Sequence, residues 1–180
     1  PGSLFEDASS FGLSDPQRRV LGATIGELRV LNLYVPNGQA VGSEKYLYKI
    51  DWLEHLQTYL REQLARYPNL VVLGDFNIAP EDLDVHDPQA WTGQILCSDA
   101  ERAAFRHLLD MGLHDSFRHL EKAGGHFSWW DYRAAGFRRN LGLRIDHILL
   151  SSELIRHIQR CWIDTVARAA ERPSDHAPVI

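Results

Sequence analysis

The sequence predicts a layered α/β domain, on three observations. Short apolar strand patterns at 28–35, 70–73 and 143–150 are separated by helical patterns at 43–67 and 99–110. Strands and helices mix without the strict βαβ rhythm of a doubly wound sheet, which favours a sandwich. Polar clusters also stand where apolar runs stop: Gly74-Asp75-Phe76-Asn77, Arg144-Ile145-Asp146-His147 and Pro173-Ser174-Asp175-His176. Carboxylates, an amide and a histidine delivered to one sheet rim make a hydrolytic, metal-assisted site.

At 180 residues the chain is one domain, 1–180, long enough to bury a substantial core. A formal net charge of −5 argues against a general coat for polyanions but leaves room for a local basic patch. Arg133, Arg138, Arg139 and Arg144 crowd into one such segment. Cys97 and Cys161 lack metal-ligand spacing and read as buried thiols in a reducing cytoplasm. No apolar run has membrane-spanning length and no secretory signal is visible, so a cytoplasmic, non-membrane protein is expected.

Residues 1–19 lack periodicity and read as a loop or tail. The strand at 28–35 ends at Pro36-Asn37-Gly38 and has no evident partner before it. Residues 43–67 form an amphipathic helix, with Tyr46, Ile50, Leu53, Leu60 and Leu64 at helical spacing, stopped by Pro68. The continuously apolar 70–73 reads as a fully buried strand. A long loop spans 78–97, and Ser98-Asp99-Ala100-Glu101 is a capping box for a helix to about 110. A short helix at 115–121, a strand edge at 127–130 and an Arg-rich loop at 133–142 follow. The strand at 143–150 leads to a helix from Ser152 to about 157, a strand at 161–166 and the start of another at 177–180. That last strand is cut at its first residues, so both ends read as trimmed.

Asp75 and Asn77 alternate along an extended backbone, so both side chains reach one side. An acid beside an amide orients a water, with the acid accepting its proton. Either residue alone is also what an Asx turn closing a strand would use. Asp146 opens an apolar strand, where a charge is costly without a partner. His147 faces the other way, and a core histidine without a role is its plainer reading. Two prolines clamp Asp175 and His176 just before a strand. Ser174-Asp175-His176 is not a hydrolase triad, because adjacent residues on a tight loop do not stack in relay geometry.

Taken together, Leu73-Gly74-Asp75-Phe76-Asn77-Ile78-Ala79-Pro80, Phe127-Ser128-Trp129-Trp130-Asp131-Tyr132-Arg133, Gly142-Leu143-Arg144-Ile145-Asp146 and Ser174-Asp175-His176-Ala177-Pro178 resemble exonuclease III. That is the bacterial branch of the DNase I-like endonuclease/exonuclease/phosphatase superfamily. The Asp-X-Asn and Ser-Asp-His motifs point to the superfamily. Tyr34-Val35-Pro36-Asn37-Gly38 and the aromatic block narrow the likeness to the branch. It runs from about Val30 onward.

The resemblance implies a two-layer β-sandwich flanked by helices in four layers, α/β/β/α, with its N-terminal part missing. It implies a Mg²⁺-dependent (or Mn²⁺-dependent) DNA repair phosphodiesterase, monomeric, acting on double-stranded DNA at abasic sites and 3′ ends. Asp75, helped by Asn77, would activate the water, and His176, oriented by Asp146, would bind the scissile phosphate, which Tyr34 also contacts. Asp75, Asn77, Asp175 and His176 would serve the metal. Trp129 and Leu143 would line the pocket for an extrahelical abasic sugar, and Asn37 would probe the duplex. One tryptophan of the Trp129-Trp130 pair should be core, since strand neighbours face opposite ways. Arg133, Arg138, Arg139 and Arg144 would neutralise phosphates, against the plainer reading of a solvated loop.

The family's early asparagine and metal-binding glutamate have no counterpart here, because neither Glu6 nor Glu27 sits at a suitable strand end. The 180 residues alone are therefore expected to cleave little. Two other functions compete: a superfamily phosphatase acting on a lipid or inositol phosphate, and a catalytically incomplete piece that only binds or supports.

Overall fold

A computed structural model describes residues 5–7 and 17–180. In chain order the elements are β1 (Phe5–Asp7), β2 (Val20–Ile25), β3 (Leu28–Tyr34), α1 (Glu44–Arg66), β4 (Leu70–Asp75), α2 (Pro88–Trp91), α3 (Asp99–Asp110), β5 (Leu113–Asp115), α4 (Ser116–Leu120), β6 (Trp129–Trp130), β7 (Gly142–Leu143), β8 (Asp146–Ser151), α5 (Ser152–Ile155) and α6 (Thr165–Arg168). Six strands make one sheet in the order β1-β2-β3-β4-β8-β5, and β6 pairs with β7 in a separate ribbon. Among the described strands only β3 and β4 run parallel; α1 makes the crossover between them.

The Ser43 hydroxyl caps α1 by accepting the Tyr46 N–H at 3.1 Å. Trp52, Leu53, Leu56 and Leu60 then recur at helical spacing, all essentially inaccessible to solvent. They pack on Leu31, Leu33, Leu70, Val72 and Leu149 of the sheet, with Phe105 and Leu108 of α3 alongside. The expected capping box of α3 is present, Ser98 and Glu101 each satisfying the other's backbone.

The architecture is a mixed α/β fold with a central sheet and packed helices, as expected of its class. Among the described residues, however, there is one large sheet and a two-stranded ribbon rather than two full sheets. The opposite face of the large sheet is correspondingly more open. Along β4, Leu70 and Val72 are buried while Val71 and Leu73 are half-buried, so this strand is covered on one face only, not on both as its apolar run predicts.

Other differences have local causes. The expected tail at 1–19 lies mostly outside the described residues, but its residues Phe5–Asp7 form β1 against β2. The strand at 28–35 does have a partner before it: β2 pairs antiparallel with β3, Val20 opposite Leu33 and Ile25 opposite Leu28. Gly26, at φ +60°, makes the turn. The strand expected at 161–166 is reduced to an isolated bridge, Ile163 to Val179. Asp164 caps α6 there through the Val166 N–H, ending the extended run. The loop at 78–97 contains a 3₁₀ turn at Asp82–Asp84 as well as α2.

The strand expected at 143–150 is broken at Arg144 and Ile145, and the break corrects the reading of Arg144 as a DNA contact. Its side chain is 1% exposed. Arg144 Nε donates to Asp84 Oδ1 at 2.7 Å, and Nη2 lies 2.8 Å from Asp115 Oδ2. Burial alone would raise the Asp84 and Asp115 pKa values, but Arg144 outweighs it, joined by Arg118 at Asp84 and by His147 at Asp115, and both acids are held below the usual carboxylate range. With folded values depressed, these acids stabilise the fold above their unfolded pKa, and that contribution fades as pH falls through the folded one. Arg144→Met leaves two buried acids without their shared cation and is expected to cost about 3–5 kcal/mol at neutral pH, checked by urea unfolding. A change within about 0.5 kcal/mol, the range of ordinary surface substitutions, would show the network to be dispensable.

Candidate active site

Three adjacent strands deliver the site. Tyr34 ends β3, Asp75 ends β4 and Asp146 opens β8; Tyr34 pairs in register with Asp75, and Asp75 with Asp146. Cross-strand partners share a face, so both carboxylates stand side by side on the open face of the sheet. They line a cavity of about 380 Å³ with His176, Leu73, Ile148 and Val179.

Gly74 has φ +134°, and a Cβ there would come within 2.0 Å of the Leu33 carbonyl oxygen. The glycine thus lets β4 lie tight against β3 while turning Asp75 into the cleft. Asn77, at φ +50°, leaves the extended conformation. Its side chain reaches Asp75 through that turn rather than by strand alternation. Asp75 Oδ1 accepts the Asn77 N–H at 2.8 Å, and Oδ2 accepts Asn77 Nδ2–H at 3.0 Å. The Asx turn and the paired acid and amide are one arrangement. Asn77 Oδ1 in turn accepts from Asn37 Nδ2 at 3.0 Å.

His176 Nδ1 lies 2.8 Å from Asp146 Oδ2. The buried Ser128 hydroxyl pins Asp146 by accepting the backbone N–H groups of Ile145 and Asp146, each at 3.0 Å. Trp129 forms an isolated bridge with His176 and donates its indole N–H to Asp175 Oδ2 at 2.9 Å. Trp130 is core, 1% exposed, so one of the tryptophan pair faces inward as expected. His147 is a core histidine: burial, then Arg144, push its pKa down to about 4, and it stays neutral.

Burial and the neighbouring Asp146 charge raise the Asp75 pKa to about 6, despite the Asn77 N–H, His176 and Lys49. Burial would lower the His176 pKa, but the Asp146 hydrogen bond and charge, with Asp75 and Asp175, outweigh it and raise it above the usual 6.5. Candidate ligand atoms of Asp75, Asp146 and His176 lie within 4.8 Å of one another. Two crowded carboxylates, one with a raised pKa, are a donor set that a cation would relieve. Asp146, expected to orient His176, also stands in this cluster, while Asp175, expected to serve the metal, lies outside it and accepts the Trp129 indole N–H.

Among the expected DNA contacts, Arg133, Arg138 and Arg139 are exposed, and Arg133 pairs with Asp131 at 2.7 Å. Leu143 is fully buried in a cluster packed against Trp129, so it supports the tryptophan without presenting a surface of its own. Lys49 escapes sequence reading. Its buried ammonium donates to the Asn77 carbonyl at 2.7 Å and the Asn37 carbonyl at 3.1 Å, and pairs with Glu101. A lysine within the apolar stripe of α1 is the one signal that marks it.

In the metal-free protein Asp146→Asn should drop the Asp75 pKa from about 6 toward ordinary values, and lower that of His176, checked by NMR titration of both side chains. Both folded values are raised. Their stabilising contributions are full below the unfolded pKa and are lost as pH rises, through about 6 for Asp75 and above 6.5 for His176. An unchanged Asp75 midpoint in the variant would remove Asp146 as a cause.

The chain is 40% identical over 177 residues to an exodeoxyribonuclease III of Haemophilus influenzae, covering 92% of this chain and 66% of the relative. A solved structure of the 3′ phosphatase NExo from Neisseria, bound to product DNA hairpin, superposes with a TM-score of 0.91 at 49% identity, covering 92% of this chain and 65% of that one. An AP endonuclease from Archaeoglobus fulgidus superposes with a TM-score of 0.86 at 36% identity, covering 94% and 67%. The chain thus spans about two thirds of the length of these proteins. The endonuclease/exonuclease/phosphatase family model matches residues 6–176, which takes in Tyr34, Asp75, Asp146 and His176, and the chain belongs to that family.

Proposed function

We propose that the protein is a DNA repair phosphodiesterase of the exodeoxyribonuclease III type, hydrolysing DNA at abasic sites and 3′ ends. The observation that carries this reading is the Asp146–His176 pair, 2.8 Å apart, facing Asp75 in the same cleft and bridged to Trp129. The DNA and abasic-site activities in the relatives' names support it.

Asp75, with a pKa near 6, accepts a proton from water close to neutral pH, held in place by its two bonds from Asn77. Asp146 favours the protonated form of His176, which donates to a phosphate oxygen as negative charge builds. The exposed Tyr34 ring stands beside Asp75 in register, where its hydroxyl contacts the same phosphate. Trp129 offers an apolar surface to an abasic sugar, which flips out more cheaply than a paired base. Asn37 probes the duplex, and Arg133, Arg138 and Arg139 neutralise backbone phosphates. Asp75 and Asp146 would hold Mg²⁺, or Mn²⁺, beside His176, and the ion would supply positive charge to the phosphate. No helix among the described residues is long and apolar enough to cross a membrane. The enzyme works as a monomer in the cytoplasm.

With full-length protein and Mg²⁺, His176→Ala should reduce cleavage of an abasic duplex by about 10²–10³-fold while leaving the melting temperature near that of the parent. Quenched-flow or gel assays on abasic and 3′-phosphate duplexes, with an inositol phosphate in parallel, test this. Undiminished cleavage would remove His176 from the mechanism. Preference for the inositol phosphate would transfer the protein to the family's phosphatases.

A further inference from the structure

The cation of Arg168 has no use in the chemistry above. Its side chain belongs to a residue only 6% exposed, yet no carboxylate partners it among the described residues. The guanidinium carbon stacks 5.2 Å from the Tyr132 ring centre and 5.0 Å from that of Phe137. Among the described residues, one long hydrogen bond, Nη2 to the Trp130 carbonyl at 3.4 Å, is its only direct polar contact, and the buried Nε has none. Every other arginine this deeply buried is neutralised or hydrogen-bonded: Arg144 by Asp84 and Asp115, Arg29 through Gln63 and Thr24. A buried cation is costly unless an anion compensates it. Stacking on aromatic faces returns only part of that cost.

Arg168 lines a cavity of about 490 Å³ with Tyr132, Phe137, Pro173 and the exposed Arg138. The one carboxylate there, Asp131, is already paired with Arg133 through Nε and Nη2. The cavity is therefore net cationic. It also abuts the active site: the Tyr132 hydroxyl donates to the Pro173 carbonyl at 2.8 Å, one residue before Ser174-Asp175-His176. The Trp130 N–H donates to the Asp175 carbonyl at 3.0 Å.

We propose that this cavity is a second phosphate site, in which Arg168, with Arg138 at the rim, holds a backbone phosphate of the DNA strand other than the scissile one. The proposal rests on the DNA reading given above. Arg168 supplies planar, aromatic-clamped donors, and the phosphate supplies the counter-charge that the fold omits. Occupying it fixes the strand's register against the catalytic loop, so cleavage falls at a set distance from this anchor.

The test is a methylphosphonate scan. Duplexes carrying one neutral phosphate at a time around an abasic site are titrated with full-length protein in EDTA, so that nothing is cleaved, and binding is read by fluorescence anisotropy. At one position away from the scissile phosphate, neutralisation should weaken the parent by about tenfold or more and have no further effect on Arg168→Gln. That variant should itself be weaker by a similar factor, with a slope of log K against log salt shallower by about 0.9. Arg138→Gln, altering an exposed side chain, should show a smaller loss at the same position, and it carries the test if Arg168→Gln fails to fold by circular dichroism. Equal effects of every methylphosphonate on the parent and both variants would overturn the proposal and leave the DNA reading intact. Absence of salt-dependent DNA binding in the parent would overturn both. Inorganic phosphate, titrated alone while the Arg168 Nε–H resonance is followed, separates the sources. A response to it without coupling to any strand phosphate would make this a site for free phosphate and overturn the strand as ligand.

Discussion

One ammonium group ties the packing of this fold to its candidate active site. Lys49 Nζ is fully buried and makes three bonds: to Glu101 on α3, to the carbonyl of Asn77 after β4, and to the carbonyl of Asn37 after β3. Burial holds the Lys49 pKa below its ordinary value even though Glu101 pulls it the other way. Glu101 also accepts the Ser98 backbone N–H and hydroxyl and the Leu96 N–H, so the start of α3 is part of the same network. Loss of either charge would leave the other buried and unpaired, which is far costlier than the pair itself. The loops carrying Asn37 and Asn77 therefore take their positions from the docking of two helices. Loop geometry at the site is a consequence of the core.

The electrostatics of the cleft follow from strand register. Asp75 and Asp146 oppose each other across β4 and β8, so their carboxylates crowd together and Asp75 holds its proton to about pH 6. A slip of one residue would turn either acid into the core, since strand side chains alternate. His176 answers the crowding from outside the sheet. It arrives on a loop bridged to Trp129, and the acids it meets raise its pKa above the usual 6.5. Two crowded acids and an imidazole with a raised pKa thus share one register and one bridge.

Burial divides the arginines of the basic segment into different tasks. Arg144 is consumed by the core, where Asp84 and Asp115 neutralise it. Arg133, Arg138 and Arg139 stay at the surface. Arg168, outside that segment, combines burial with the lack of a carboxylate partner and so stands apart from both groups. In sequence all are the same residue type; what separates them is burial together with the acids within reach in space.

Much of the site was legible from local pattern. Asp75 and Asn77 at the end of an apolar run, Asp146 at the start of one and the proline-flanked Asp175-His176 each mark a sheet rim, and the capping box at Ser98 marks α3. These signals are short-range, because strand ends, caps and turns are set by neighbouring residues. The sequence by itself determined the α/β character, the helix boundaries of α1 and α3, and which polar residues stand at the strand ends. Only the tertiary structure decided that Arg144 belongs to the core and Lys49 to the site, that β2 completes the sheet beside β3, and that Asp146 stands in one cluster with Asp75 and His176. Those outcomes depend on partners 52 residues away for Lys49 and 60 for Arg144. Whether a charge can be buried is settled by such distant counter-charges, which no local spacing encodes.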